Sequence, residues 1–251
     1  MPFLAAGGRR LEYEWSDGRE PALVFLHEGL GSIRQWRDFP ERVARATGLR
    51  ALVYDRYGYG NSEVLVEPRV GVRFMHDEAL VALPQVLAAL GIEAPILVGH
   101  SDGASIALIY AGAGNAVRAL VLMAPHVFVE EICVRSIERA RVTFETTDLP
   151  QRLGRYHRDA RKTFYLWNDV WLDPEFRRWN IEEYLPGVRA PLLAIQGEDD
   201  EYGTLAQLDA IQRLASGRCE LLKLANCGHS PHRDRPEAVL AAVNRFIGEV
   251  S

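Results

Sequence analysis

The chain has 251 residues, 48% of them apolar and 25% charged, enough to bury one large core. A net charge of −5, with 29 Lys and Arg residues spread along the chain, gives no basic field for a phosphate backbone, so nucleic acid is not an expected partner. No apolar stretch approaches the ~18 residues of a membrane span, residues 1–10 lack the basic start of a secretory signal, and Cys133, Cys219 and Cys227 show no C-x-x-C spacing, so a cytoplasmic protein with reduced thiols and no membrane partner is expected.

Taken in order, "RRLEYEW" (9–15) alternates as an edge or antiparallel strand does. "ALVFLH" (22–27) and "ALVYD" (51–55) are nearly continuous apolar runs, the pattern of strands covered on both faces of a parallel sheet. "DEALVALPQVLAAL" (77–90) sets Leu80, Leu83, Leu87 and Leu90 on one helical face, with Gly91 as the stop and Pro84 predicting a kink or a restart. Two more buried strands follow, "PILVGH" (95–100) and "VRALVLMA" (117–124). From 127 to 186 strand runs vanish, and Arg, Glu and aromatic residues predict several short amphipathic helices. Alternation resumes with "PLLAIQG" (191–197), a helix near 205–214, "CELLKLA" (219–225) and a last helix from about Pro236 to Gly248. The expected class is α/β: a mostly parallel sheet flanked by helices, its core domain made of residues 1–126 and 187–251, with an inserted helical cap, or lid, at 127–186.

The chemistry centres on "VGHSDGAS" (98–105), where Ser101 lies between Gly99 and Gly103. A Gly-x-Ser-x-Gly string is weak by itself, but this one stands between a predicted strand and a predicted helix. A nucleophile elbow needs that context, because the sharp turn leaves no room for side chains two positions away. A serine hydroxyl is a poor nucleophile without a base, and the base needs a carboxylate to orient it. Glu198, Asp199, Asp200 and Glu201 follow one late strand, and His229 and His232 follow the next.

With these parts in the order serine, acid, histidine, the chain resembles the α/β-hydrolase family over about residues 9–248. The resemblance implies an esterase-like serine hydrolase. Its G-x-x-D pattern, counted from Gly197, selects Asp200, and its Gly-His pattern selects His229 after Gly228. It implies two backbone donors for an oxyanion hole: the N–H of Asp102, and one from "HEGLGS" (27–32). His27 matches the family's His-Gly-x, Glu28 stands where Gly is usual, and Gly29 takes the donor position, so the second donor is Gly29 or Glu28. The expected substrate is a small to medium carboxylic ester, thioester or lactone, cleaved through an acyl-enzyme on Ser101 with no metal or cofactor. Carbon–carbon bond hydrolysis, amidase or peptidase activity, and a non-catalytic small-molecule receptor are the alternatives. A homodimer is left open.

Four further residues are candidate substrate contacts: His27, His126 at the end of "MAPH", and Trp167 and Trp171 of the cap. Gly29 and Gly31, with Asp55 ending the next strand, mimic a dinucleotide fingerprint, but Arg34 stands where a third small residue is required. His100 is expected to hydrogen-bond beneath the elbow, and His232 to be exposed at the start of a helix. The Glu28 and Asp102 side chains would oppose an oxyanion, so both are expected to turn away and pair with Arg34 or Arg56 rather than hold a cationic substrate.

Overall fold

In the computed structural model, which describes residues 2–67 and 70–251, eight strands form one sheet. They are β1 (Phe3–Ala6), β2 (Arg9–Ser16), β3 (Arg19–Leu26), β4 (Leu49–Tyr54), β5 (Ile96–His100), β6 (Ala119–Met123), β7 (Leu192–Gly197) and β8 (Cys219–Leu224), in the spatial order β1-β2-β4-β3-β5-β6-β7-β8. The β1–β2 and β2–β4 pairings are antiparallel and all others parallel. The apolar runs behave as two-sided strands do: in β3, Val24 and Leu26 face one core while Leu23 and Phe25 face the other. Phe3–Ala6, in sequence only a short apolar run, forms the edge strand by a hairpin through Gly7 and Gly8, whose φ values of 62° and 71° suit glycine.

The helix expected from residue 77 begins earlier, at Phe74, widens into a π turn over Glu78–Ala82 and restarts as Leu83–Ala89. Pro84 lies in the first turn of the restarted helix, where its missing N–H costs least. Gly91 closes it at φ 66°. Between β6 and β7 the chain forms helices Glu131–Thr146, Leu149–Leu153 and Ala160–Trp171, then two 3-10 turns. The first spans 16 residues rather than a short turn, because no Gly or Pro interrupts it before Pro150. No helix among the described residues is long and apolar enough to cross a membrane.

Candidate active site

Ser101 sits at the end of β5, directly before the helix Asp102–Gly112, with φ 53° and ψ −119°. A side chain tolerates that backbone only where its surroundings enforce it. Two glycines do so. A Cβ on Gly99 would lie 2.5 Å from the Gly103 carbonyl oxygen, and one on Gly103 would lie 2.0 Å from that of Leu26. The helix therefore packs against β3 and β5 closely enough to aim its N-terminus at the serine.

The loops after β7 and β8 bring the acid and the histidine to this point. His229 Nε2 is 2.9 Å from Ser101 Oγ, and His229 Nδ1 is 2.8 Å and 3.0 Å from the two carboxylate oxygens of Asp200. A carboxylate can only accept, so the imidazole proton resides on Nδ1 and Nε2 is free to accept from the serine hydroxyl. Asp200 also accepts from the Tyr202 N–H at 2.8 Å and the Gln196 amide at 3.2 Å. Burial works against its charge, but these bonds and the histidine hold the carboxyl below its usual range. Burial likewise disfavours the imidazolium of His229, yet the charge and hydrogen bond of Asp200 raise its pKa above the ordinary 6.5. Of the four acids in this loop, Glu198, Asp199 and Glu201 are exposed and only Asp200 is buried.

A cavity of about 120 Å³ opens at Ser101 and His229. Glu28, Gly29 and Leu30 border it on the β3 side and His126 on the β6 side, while Trp167 and Trp171 close it from helix Ala160–Trp171. Gly29 has no room for a side chain, since a Cβ there would lie 2.2 Å from the Trp167 indole. Cys133, Ile137 and Tyr202 complete the lining and were not singled out in the sequence. Cys133 and Ile137 are four apart on helix Glu131–Thr146, a helical stripe that signals a buried face but not which surface covers it. His126 is buried, with Nδ1 unpartnered, and burial depresses its pKa to about 3, so it is a neutral polar group in an apolar wall.

Buried polar side chains around the elbow correct three expectations, at His27, Glu28 and His232. His27 is fully buried and does not reach the cavity: its Nε2 accepts from the Arg56 N–H at 3.1 Å, so its Nδ1–H donates to the Glu28 carbonyl at 2.7 Å. It is not a substrate contact. Glu28 turns away as expected but pairs with neither Arg34 nor Arg56. Its Oε2 meets His100 Nδ1 at 3.2 Å and its Oε1 meets Arg233 at 3.5 Å, while Arg34 donates to the Arg155 carbonyl. Burial opposes the Glu28 charge, but His100 and Arg233 outweigh it and hold the carboxyl well below its usual range. His100 in turn donates through Nε2 to the His229 carbonyl at 2.7 Å, so beneath the elbow the nucleophile strand is tied to the histidine loop. His232 is not exposed; it is 5% accessible, its ring 5.1 Å from that of Trp36 and 5.5 Å from that of Phe39. The dinucleotide mimic also dissolves, because Asp55 accepts from the N–H groups of Ile33 and Asn61 and braces two loops.

Asp102 is fully buried, and neither of its carboxylate oxygens has a hydrogen-bond partner among the described residues. Burial pushes its carboxyl up to about 6, with Arg56 offsetting part of the cost. The native state thus binds this proton more tightly than the unfolded chain, where the ordinary value is 3.8. The preference is lost as pH rises through about 6. The gap between 3.8 and about 6 corresponds to about 3 kcal/mol at neutral pH. Asp102→Asn is therefore expected to exceed the wild type in stability by up to about 3 kcal/mol at pH 8, with the advantage shrinking towards pH 4. Urea unfolding at a series of pH values checks this, and parallel stability curves for the two proteins would refute it.

With this geometry in view, residues 23–242 match the model of the alpha/beta hydrolase family. The chain belongs to that family. Among characterised relatives, the chain is 25% identical to the sn-1-specific diacylglycerol lipase ABHD11 of Mus musculus, over 94% of this chain and 85% of that one. It is 23% identical to a proline iminopeptidase of Lactobacillus delbrueckii subsp. bulgaricus, over 83% of both chains. Among solved structures, it superimposes with a TM-score of 0.79 on MGS-M2, an alpha/beta hydrolase from a Medee basin deep-sea metagenome library, at 21% identity over 100% of this chain and 98% of that one. One relative is named a lipase and the other a peptidase, so these similarities do not select the bond.

Proposed function

We propose that this alpha/beta hydrolase is a serine esterase for carboxylic esters, thioesters or lactones with a small acyl group, acting through an acyl-enzyme on Ser101. The observation that carries the reading is the hydrogen-bonded chain from Ser101 Oγ through His229 to Asp200, with 2.9 Å and 2.8 Å links, on a strained elbow. In the first half-reaction His229 takes the hydroxyl proton as Ser101 Oγ attacks the acyl carbonyl. The same proton then goes to the departing alcohol as the tetrahedral intermediate collapses. His229 next draws a proton from water, whose oxygen attacks the acyl-enzyme; as the bond from the acyl carbon to Ser101 Oγ breaks, His229 returns that proton to Oγ and the acid leaves. The oxyanion is held by the N–H groups of Asp102 and Gly29, neither of which donates to another group among the described residues. Residues 127–186 act as the cap that shapes the acyl pocket.

Pocket size supports a short acyl chain. A cavity of about 120 Å³ is smaller than the ~150 Å³ that accommodates a benzene ring. Across p-nitrophenyl esters from acetate to octanoate, kcat/KM is expected to be highest among the short chains and to fall at least tenfold by octanoate, the scale of a few misfit methylenes. A flat or rising series would remove the small-acyl reading. The proline iminopeptidase relative favours a second reading, amide cleavage. Prolyl p-nitroanilide in the same assay separates the two. If no substrate is turned over but a fluorophosphonate labels Ser101, the nucleophile is competent and the substrate class is wrong.

A further inference from the structure

The mechanism above leaves one buried cation unused. Arg56, 1% exposed, follows β4 and forms no ion pair with a carboxylate among the described residues; its Nε has no partner at all. The charges of Glu78 and Asp102 favour this cation, but no carboxylate among the described residues touches it, so its hydrogen bonds go elsewhere. Its Nη2 donates to two main-chain carbonyls, His27 at 3.3 Å and Glu28 at 3.0 Å. The Glu28 oxygen is therefore surrounded by three donors: Arg56, the His27 Nδ1–H at 2.7 Å and the Gly31 N–H at 3.0 Å. Arg56 is the charged one.

That carbonyl belongs to the same peptide unit as the N–H of Gly29. The unit is trans, the single cis bond among the described residues being Glu20–Pro21, so its N–H points opposite to its C=O. With the oxygen fixed towards Arg56, the N–H points the other way and has no backbone acceptor among the described residues, and Gly29 borders the cavity at Ser101. A cation on the oxygen also draws electron density through the conjugated amide and strengthens the N–H as a donor. We infer that Arg56 is a positioning residue for the oxyanion hole: it orients and polarises the Glu28–Gly29 peptide without touching substrate. The inference rests on the Ser101 acyl-transfer reading, in which the Gly29 N–H receives the developing oxyanion.

Arg56 also lines a second cavity, of about 480 Å³, together with Tyr59 and Glu78. Truncating Arg56 therefore opens its place to that cavity, through which a small guanidine can enter. For Arg56→Ala and Arg56→Met, kcat on the preferred p-nitrophenyl ester is expected to fall about 10- to 100-fold with KM changed less than twofold, somewhat less than outright loss of an oxyanion donor. The rate of Ser101 labelling by a fluorophosphonate, which places a phosphoryl oxygen in the same hole, should fall in parallel. Methylguanidine at millimolar concentration should restore a saturable part of the Arg56→Ala rate and leave the wild type unchanged. A folded variant that keeps wild-type kcat and labelling rate overturns the inference, as does a loss carried by KM alone or one that methylguanidine does not relieve. If neither truncation folds, Arg56→Lys decides: a point charge in place of the planar fork should slow turnover and labelling together, and unchanged rates overturn the assignment. Failure of the serine reading itself is seen separately, as absence of labelling in the wild type.

Discussion

Replacing Ser101 with alanine is expected to lower kcat by about six orders of magnitude on the preferred ester, leaving only what the oxyanion donors and binding contribute over water. The size of the effect follows from the geometry. The Ser101 hydroxyl lies 2.9 Å from His229 Nε2, and among the described residues no other hydroxyl and no thiol hydrogen-bonds to that nitrogen. Because the three residues act as one unit, His229→Ala and the combined Ser101→Ala/His229→Ala protein should be no slower than Ser101→Ala alone within a few-fold. Steady-state turnover checks this, with active-site titration to exclude traces of wild type. Retention of more than about one per cent of kcat in Ser101→Ala would remove the acyl-enzyme.

Asp200→Asn is expected to cost about four orders of magnitude in kcat while leaving the backbone in place. The asparagine amide can donate to His229 Nδ1 and so favour the tautomer with its proton on Nε2, which cannot accept from Ser101. The variant should also move the acid limb of kcat/KM. In the wild type Asp200 raises the His229 pKa above the ordinary 6.5 against the effect of burial. The active form is the neutral imidazole, so activity is lost as pH falls through that raised value. Without the Asp200 charge, burial acts unopposed by it, and the limb shifts to lower pH. Profiles of kcat/KM over about pH 5 to 9 test the sign, and a limb that stays in place or moves upward would mean that Asp200 does not set the histidine's charge.

Much of this architecture is legible in the sequence. β5 and β6 are short unbroken apolar runs because both sheet faces are covered, and a run of that composition has few other soluble solutions. The elbow was legible for a steric reason: Gly99 and Gly103 stand where any Cβ would collide with backbone. Pro84 announced a break in its helix, which takes the form of a π turn, though no local rule distinguishes that from a kink.

Other features depend on residues that meet only in three dimensions. The four acids at 198–201 are equivalent to any local rule, and family resemblance rather than spacing chose among them; burial beneath His229 then sets Asp200 apart. Glu28 was read as pairing with an arginine nearby in sequence or on the adjacent strand, yet its partners are His100 and Arg233, 72 and 205 positions away. His232, expected to be exposed at the start of a helix, is covered by Trp36 and Phe39. Cys133 and Ile137 reach the cavity from helix Glu131–Thr146 and Tyr202 from the loop after β7, segments that meet only in the folded chain.

The sequence by itself determined every strand except β1, the elbow and the order of the serine, acid and histidine, since periodicity and the steric needs of a tight turn are local properties. Tertiary structure alone decided what neutralises Glu28, how large the cavity at Ser101 is, and that Arg56 grips the Glu28–Gly29 peptide. Each of these depends on distances between segments far apart in the chain, and those distances are set by how the layers pack on the sheet.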